Sequence, residues 1–123
     1  MTGSGVFRLW GELKSQVGGQ TIWDMWHDPR KIAEIEVSAF NRFGHDQMMI
    51  GPNSYGIADA LGADVIYAED KLPYIGKNCL KDYQELSGYE PLDAKKDDRI
   101  KTFLNAAEIL ADCAAPYVPI TAS

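Results

Sequence analysis

Residues 43–70 read FGHDQMMIGPNSYGIADALGADVIYAED, and this stretch decides the fold. The run QMMI at 47–50 predicts a short strand that is apolar on both faces, as a strand of a parallel sheet requires. The turn-forming residues 51–54 end this strand, a short helix follows through Leu61, and residues 65–67 predict a second strand. This order is how an α/β protein presents a site at the carboxyl end of a strand.

Two longer helices flank this stretch, and both carry clear start and stop signals. Asp28 supplies an N-cap carboxylate, the proline after it fits the first helical position, and Gly44 supplies the stop. Asp97–Asp98 caps the second helix, whose apolar residues recur at intervals of three and four until Pro116. Residues 117–121 then predict another buried strand.

The other segments carry weaker signals. Apolar side chains at helical spacing predict an amphipathic helix over residues 6–17, and residues 21–26 predict one short helical turn. A polar loop through residues 72–74 is expected after the second strand. Residues 78–93 predict a helical turn or two before Gly88.

Helices and strands therefore alternate along the chain, which favours the α/β class with parallel strands. A (β/α)8 TIM barrel needs about 250 residues, and this chain has 123. We therefore expect a single domain, 1–123, forming the N-terminal part of such a barrel, helix-rich, with a few short strands and not closed. Residues 1–44 would form N-terminal helices and residues 45–123 the first β/α units. The chain is predicted to be a piece of a larger protein, either truncated or encoded short.

Composition excludes several classes of function. Apolar residues make up 46% and charged residues 24%, and the net charge is −6 without a basic stripe, which argues against nucleic-acid binding. No apolar run approaches the roughly 18 to 20 residues of a membrane span, and the start of the chain lacks a secretory signal pattern. Cys79 and Cys113 stand far from any CxxC pattern, so we expect reduced thiols and a cytoplasmic protein.

The stretch at 43–70 resembles the uroporphyrinogen decarboxylase family, which includes the haem-pathway decarboxylase and corrinoid-linked methyltransferases sharing its barrel. The resemblance continues through residues 86–123, LSGYEPLDAKKDDRIKTFLNAAEILADCAAPYVPITAS, and covers most of the chain from about Asp28 onward. It implies the same barrel fold and a tetrapyrrole or corrinoid-related substrate for the parent protein.

The resemblance also identifies a candidate site at residues 53–55. Aligning Asp46 and the Ala-Leu-Gly triplet at 60–62 places Asn53 where family decarboxylases carry an aspartate that faces the pyrrole nitrogens of the tetrapyrrole. An amide can orient a substrate, but it has no charge with which to stabilise a developing cation. Asn53 is thus the one candidate catalytic residue, and Asn53, Ser54 and Tyr55 are the candidate substrate-binding residues. The alternative is that Asn53 and Ser54 only cap the helix that follows.

A second difference from the decarboxylases of the family indicates which branch of the family this chain belongs to. The Arg-Gln-Ala-Gly-Arg motif with which family decarboxylases grip substrate carboxylates has no counterpart in residues 1–45. The methyltransferase branch lacks that motif, so the parent is predicted to be a corrinoid-linked methyltransferase. Uroporphyrinogen III decarboxylation and a non-catalytic scaffold or subunit remain the alternatives. This chain alone is expected to be inactive.

No metal site is predicted within this chain, because its two histidines and two cysteines lie far apart in sequence. Zinc, a hallmark of the methyltransferase branch, and a corrinoid partner would belong to the full-length parent, with His and Cys ligands in later barrel strands.

The aromatic residues Trp10, Trp23 and Trp26 are read as helix-packing side chains rather than a ligand platform. His27 is placed to pack against one of the latter two. Open strand edges and partly covered helices predict a homo-oligomer.

Overall fold

The computed structural model describes residues 13–14, 16–50, 53–68 and 71–122. Residues 13–14 and 16–18 are helical, so most of the helix expected over 6–17 lies outside the described residues. The later elements, in chain order, are α1 (Asp24–His27), α2 (Pro29–Phe43), β1 (Met48–Ile50), α3 (Asn53–Ala60), β2 (Asp64–Ile66), β3 (Tyr74–Lys77), a 3-10 helix (Tyr83–Gly88), α4 (Asp98–Ala114) and β4 (Ile120–Ala122).

The predicted first strand pairs with the predicted last strand, which begins at Ile120, three residues later than expected. β1 and β4 are parallel, with Met48 opposite Ile120 and Ile50 opposite Ala122. A parallel pair needs a long crossover connection, and α4 forms the part of it that leads directly into β4. The α/β class is therefore confirmed, and the described residues hold two strands of this parallel sheet and no closed barrel.

The second predicted strand needs a correction. It is present one residue earlier than expected, as β2, but it pairs antiparallel with β3 in a separate two-stranded sheet. The predicted polar loop accordingly ends at Pro73, because β3 begins at Tyr74. Only residues 67–73 connect the two strands, which is too short for the dozen or more residues of a parallel crossover, so the chain returns antiparallel.

The capping signals read from the sequence for the two longer helices are confirmed. A carboxylate oxygen of Asp28 accepts from the backbone N–H of Arg30 at 2.9 Å and of Lys31 at 3.3 Å. Gly44 ends α2 in the left-handed region, with φ of 62°. The Asp97 carboxylate accepts from the N–H of Ile100 at 2.8 Å and begins α4.

The core lies where α2 and α4 pack against β1. The largest fully buried side chains are Ile35 and Leu110. Leu104 belongs to the apolar residues whose spacing of three and four predicts the inner face of α4, but it is 48% exposed. The buried stripe of α4 runs instead through residues 103, 106 and 110, and Leu104 is about 100° around the helix from the first of these.

The packing role predicted for the tryptophans is confirmed for Trp26. Its buried indole meets Phe103 edge-to-face, with ring centroids 6.1 Å apart. The exposed Trp23 stacks on His27 with centroids 3.6 Å apart, while Trp10 lies outside the described residues. Within the described ranges, no helix has both the length and the apolar character to cross a bilayer.

Candidate functional site

The predicted site follows directly on the end of β1. Two residues separate Ile50 from Asn53, so their Cα atoms lie within about 11 Å of each other. Ile50 is paired with Ala122, and both strands therefore end at the same edge of the sheet. The first turn of α3 thus starts near the carboxyl ends of the two parallel strands.

The three predicted residues have different surroundings. Asn53 is the first residue of α3, and its side chain lies outside what the structure describes, so its cap and site roles stay predictions. Ser54 is exposed. Tyr55 is half-buried and packs edge-to-face on Trp26, with ring centroids 6.3 Å apart. Tyr55 therefore links this turn to the core.

A polar cluster that the sequence reasoning missed lies at the other end of α3. The hydroxyl of Tyr67 donates to Oδ2 of Asp59 at 2.9 Å, and Nε of Arg99 donates to the same oxygen at 2.9 Å. Arg99 also donates through Nη1 to the backbone carbonyl of Trp26. Asp59 and Arg99 are 40 residues apart and belong to no motif, so no sequence signal joins them.

His27 borders this cluster and contacts the ring of Tyr67. Its Nδ1 lies 2.8 Å from the carbonyl oxygen of Trp23, which can only accept, so Nδ1 carries the proton. Burial lowers the pKa of His27, and the nearby charge of Arg99 lowers it further, against the opposing effects of the Trp23 hydrogen bond and of Asp59. The lowered pKa favours the neutral form of the His27 imidazole over the charged form.

Tyr67 stays a hydrogen-bond donor. Burial of its phenol and its hydrogen bond to Asp59 raise the pKa of Tyr67 well above the usual range, although the charge of Arg99 works in the other direction. Its ring also meets His27 edge-to-face, with centroids 4.7 Å apart. Tyr67 therefore links His27 on α1 to the Asp59 carboxylate on α3.

An open cleft of about 450 Å³ adjoins the cluster, between the ends of α1 and α3 and the start of α4. Its lining residues are His27, Asp59, Ala60, Lys96, Asp97, Asp98, Arg99 and Thr102. The charged groups of this lining have partners, since Asp59 pairs with Arg99, Asp98 with Lys101 and Lys96 with Asp93, and Asp97 caps α4. Such an arrangement is suited to holding helices together.

The described residues do not form a set suited to zinc. Nowhere within these ranges do three or more His, Cys, Asp or Glu side chains come together as a potential metal site.

Comparison of the sequence with known protein families gives a match. The model of the uroporphyrinogen decarboxylase (URO-D) family matches residues 5–123. Among curated proteins, no sequence matches the chain.

A solved structure gives the fold comparison. A methyltransferase from Methanosarcina mazei superposes with a TM-score of 0.76 at 18% sequence identity, over 90% of this chain and 33% of that one. The chain thus spans about a third of the length of this relative, and at such an identity the likeness concerns the fold. The family match covers nearly the whole sequence and confirms the resemblance, which was recognised over most of the chain from about Asp28 onward. This chain belongs to the uroporphyrinogen decarboxylase family.

Proposed function

We propose that this chain is the N-terminal segment of a corrinoid-linked methyltransferase of the uroporphyrinogen decarboxylase family. The observation that carries the proposal is Asn53, an amide where the decarboxylases of the family carry an aspartate. The absence of the Arg-Gln-Ala-Gly-Arg motif from residues 1–45 supports the same branch, as does the structural likeness to a methyltransferase.

The role of this chain's own residues is to bind and orient. Asn53 begins α3 beside the carboxyl ends of β1 and β4, where its amide could both donate to and accept from a polar substrate. The zinc and thiol chemistry of the branch would be supplied by residues beyond the described set. Cys79 and Cys113 are both free thiols, which supports the inference of a reducing, cytoplasmic setting.

The test uses the complete polypeptide that the gene encodes, with zinc, methylcobalamin and a thiol acceptor. Transfer of the methyl group from cobalt to sulphur should change the visible spectrum of the corrinoid and give a thioether detectable by mass spectrometry. A parallel incubation with uroporphyrinogen III should give no coproporphyrinogen. Coproporphyrinogen above background would overturn the proposal in favour of the decarboxylase.

The isolated 123-residue chain serves as the matched control and should be inactive in both assays. If the complete polypeptide is folded yet also inactive in both, the non-catalytic scaffold or subunit becomes the better interpretation.

A further inference from the structure

Helix α3 makes few apolar contacts for an element that carries the candidate site. Among its described side chains, only Tyr55 packs against the core cluster, and Ile57 is exposed. Asp59 lies one turn after Tyr55, on the same face of the helix. Apolar packing at Tyr55 therefore holds the start of α3, and the polar contacts of Asp59 hold its other end against α4.

Arg99 contacts Asp59 directly and is linked to Tyr55 through Trp26. The Arg99 side chain is only 16% exposed, and its Nε donates to Oδ2 of Asp59 at 2.9 Å. Its Nη1 donates to the carbonyl of Trp26, whose indole ring is the partner of Tyr55. One guanidinium thus holds α3 against α1, and the two contacts on α3 are one helical turn apart.

Tyr67 completes the arrangement from the residue that follows β2. Its hydroxyl donates to the same oxygen of Asp59 at 2.9 Å, and the Cζ of Arg99 lies 4.9 Å from the centroid of its ring. Charge-assisted hydrogen bonds and a cation–π contact hold one geometry more firmly than neutral contacts do. Because Tyr67 remains protonated, the Asp59 carboxylate keeps both donors.

We propose that Arg99 is a positioning residue that, through Asp59 and Trp26, fixes α3 and thereby the site at Asn53–Tyr55. The link to Asn53–Tyr55 rests on the function proposed above, whereas the restraint on α3 does not. Without Arg99, α3 samples positions away from α4, and a smaller fraction of molecules presents a competent site. The apparent substrate affinity falls by that fraction, while the saturated rate is retained.

The first experiment measures amide hydrogen exchange by NMR in Arg99→Gln. The amides of Leu61, Gly62 and Ala63 bond to carbonyls of α3 and so report on its stability. We expect their exchange to accelerate by about 10- to 100-fold, the range typical of losing a hydrogen bond to a charged group. The amide of Gly44, which bonds to Phe40 at the end of α2, should be unchanged.

The matched control is Lys31→Gln, which removes the 2.9 Å ion pair with Asp24 between α1 and α2. This variant should leave the α3 amides at their wild-type rates. Equal acceleration of α2 and α3 amides in Arg99→Gln, or no acceleration in α3, would overturn the proposal.

A second variant covers the case in which Arg99→Gln does not fold. Asp59→Asn keeps the side-chain shape but loses the charge, and it should accelerate the same three amides. Where both variants fold, the double variant should be less affected than the sum of the two single variants, because both single changes remove the Arg99–Asp59 ion pair. Fully additive effects would show that the two residues act separately and would contradict the proposal.

The last arm measures turnover in the complete polypeptide, with methylcobalamin as the varied substrate. Arg99→Gln should raise KM several-fold with kcat nearly unchanged, whereas a loss of folded protein would lower kcat and leave KM alone. The latter result would reduce Arg99 to a structural role. If the wild-type polypeptide transfers no methyl group, the proposed function fails, and the exchange rates still decide the restraint on α3.

Discussion

Lys14 and Glu36 form a buried ion pair, in which Nζ of Lys14 contacts Oε1 of Glu36 and each side chain is 7% exposed. The pair joins the helical residues before α1 to the middle of α2. A charge held this far from water depends strongly on its partner.

Replacing Glu36 with alanine should lower the free energy of unfolding by about 3 to 5 kcal/mol, because the Lys14 ammonium loses its buried carboxylate. Urea denaturation followed by circular dichroism measures the change. Lys31→Gln, which breaks the more exposed pair with Asp24, is the control and should cost less than about 1 kcal/mol. Equal losses in the two variants would contradict the buried role of the pair.

His27 should make stability depend on pH. Its pKa is lowered in the folded protein from the ordinary value of 6.5, mainly by burial, so the unfolded state binds the proton more readily. The contribution is fully present above about pH 6.5 and is lost as the pH falls through the folded-state pKa. The free energy of unfolding should therefore fall between pH 7.5 and 5.

In His27→Gln, the free energy of unfolding should change less between pH 7.5 and 5 than in the wild type. The control is His45→Gln, which should keep the contribution of His27 to this change. The measurement is a series of urea midpoints across the pH range. An unchanged slope in His27→Gln would show that other groups cause the dependence.

Asn53→Ala in the complete polypeptide should impair turnover more than folding, because the amide is expected to orient the substrate at the carboxyl edge of β1 and β4. We expect kcat/KM to fall by about 10-fold or more, the equivalent of roughly 1.4 kcal/mol, with the melting temperature nearly unchanged. A fall of several degrees with unchanged kinetics would favour the helix-cap interpretation instead.

The 123-residue chain should self-associate at micromolar concentration. Each of β1 and β4 has one strand neighbour within the described sheet, and Met49 on β1 is 38% exposed. Unpaired apolar edges of this kind find partners. Light scattering should report at least a dimer, and a well-folded monomer would refute the prediction.

A charged side chain on β1 tests whether self-association uses the edge of this strand. Met49→Lys should shift the chain toward monomer, since lysine on an edge strand blocks pairing. Tyr83→Lys, at a 92% exposed position of the 3-10 helix, is the control and should leave the association unchanged.

Local signals predicted the helices well. Asp28, Gly44 and Asp97 act on groups within a few residues of themselves, so the bounds of α2 and the start of α4 could be read from the sequence. The apolar run at 47–50 also identified β1. The direction in which two strands pair can be predicted only where the length of their connection allows one direction. The return strand β3 gave no clear signal in the sequence, which predicted only a loop there, so the antiparallel pairing of β2 was missed.

The polar contacts could not be predicted in the same way. Arg99 meets Asp59 across 40 residues, and Lys14 meets Glu36 across 22. Which charge finds which partner depends on how the helices pack, and the spacing of charges along the chain does not record that. The site at Asn53 came from a family resemblance, whereas the cluster that restrains its helix came from the three-dimensional structure alone.

The pairing of β1 with β4 sets an order of events during synthesis of the chain. The hydroxyl of Thr121 donates to the carbonyl of Met48, which is made 73 residues earlier. At translation rates of about 5–20 residues per second, β1 waits roughly 4 to 15 seconds for this neighbour. Over that interval its three apolar residues have an open edge in a growing polypeptide. β1 therefore has no partner on this edge, and can pair wrongly there, until β4 has been made.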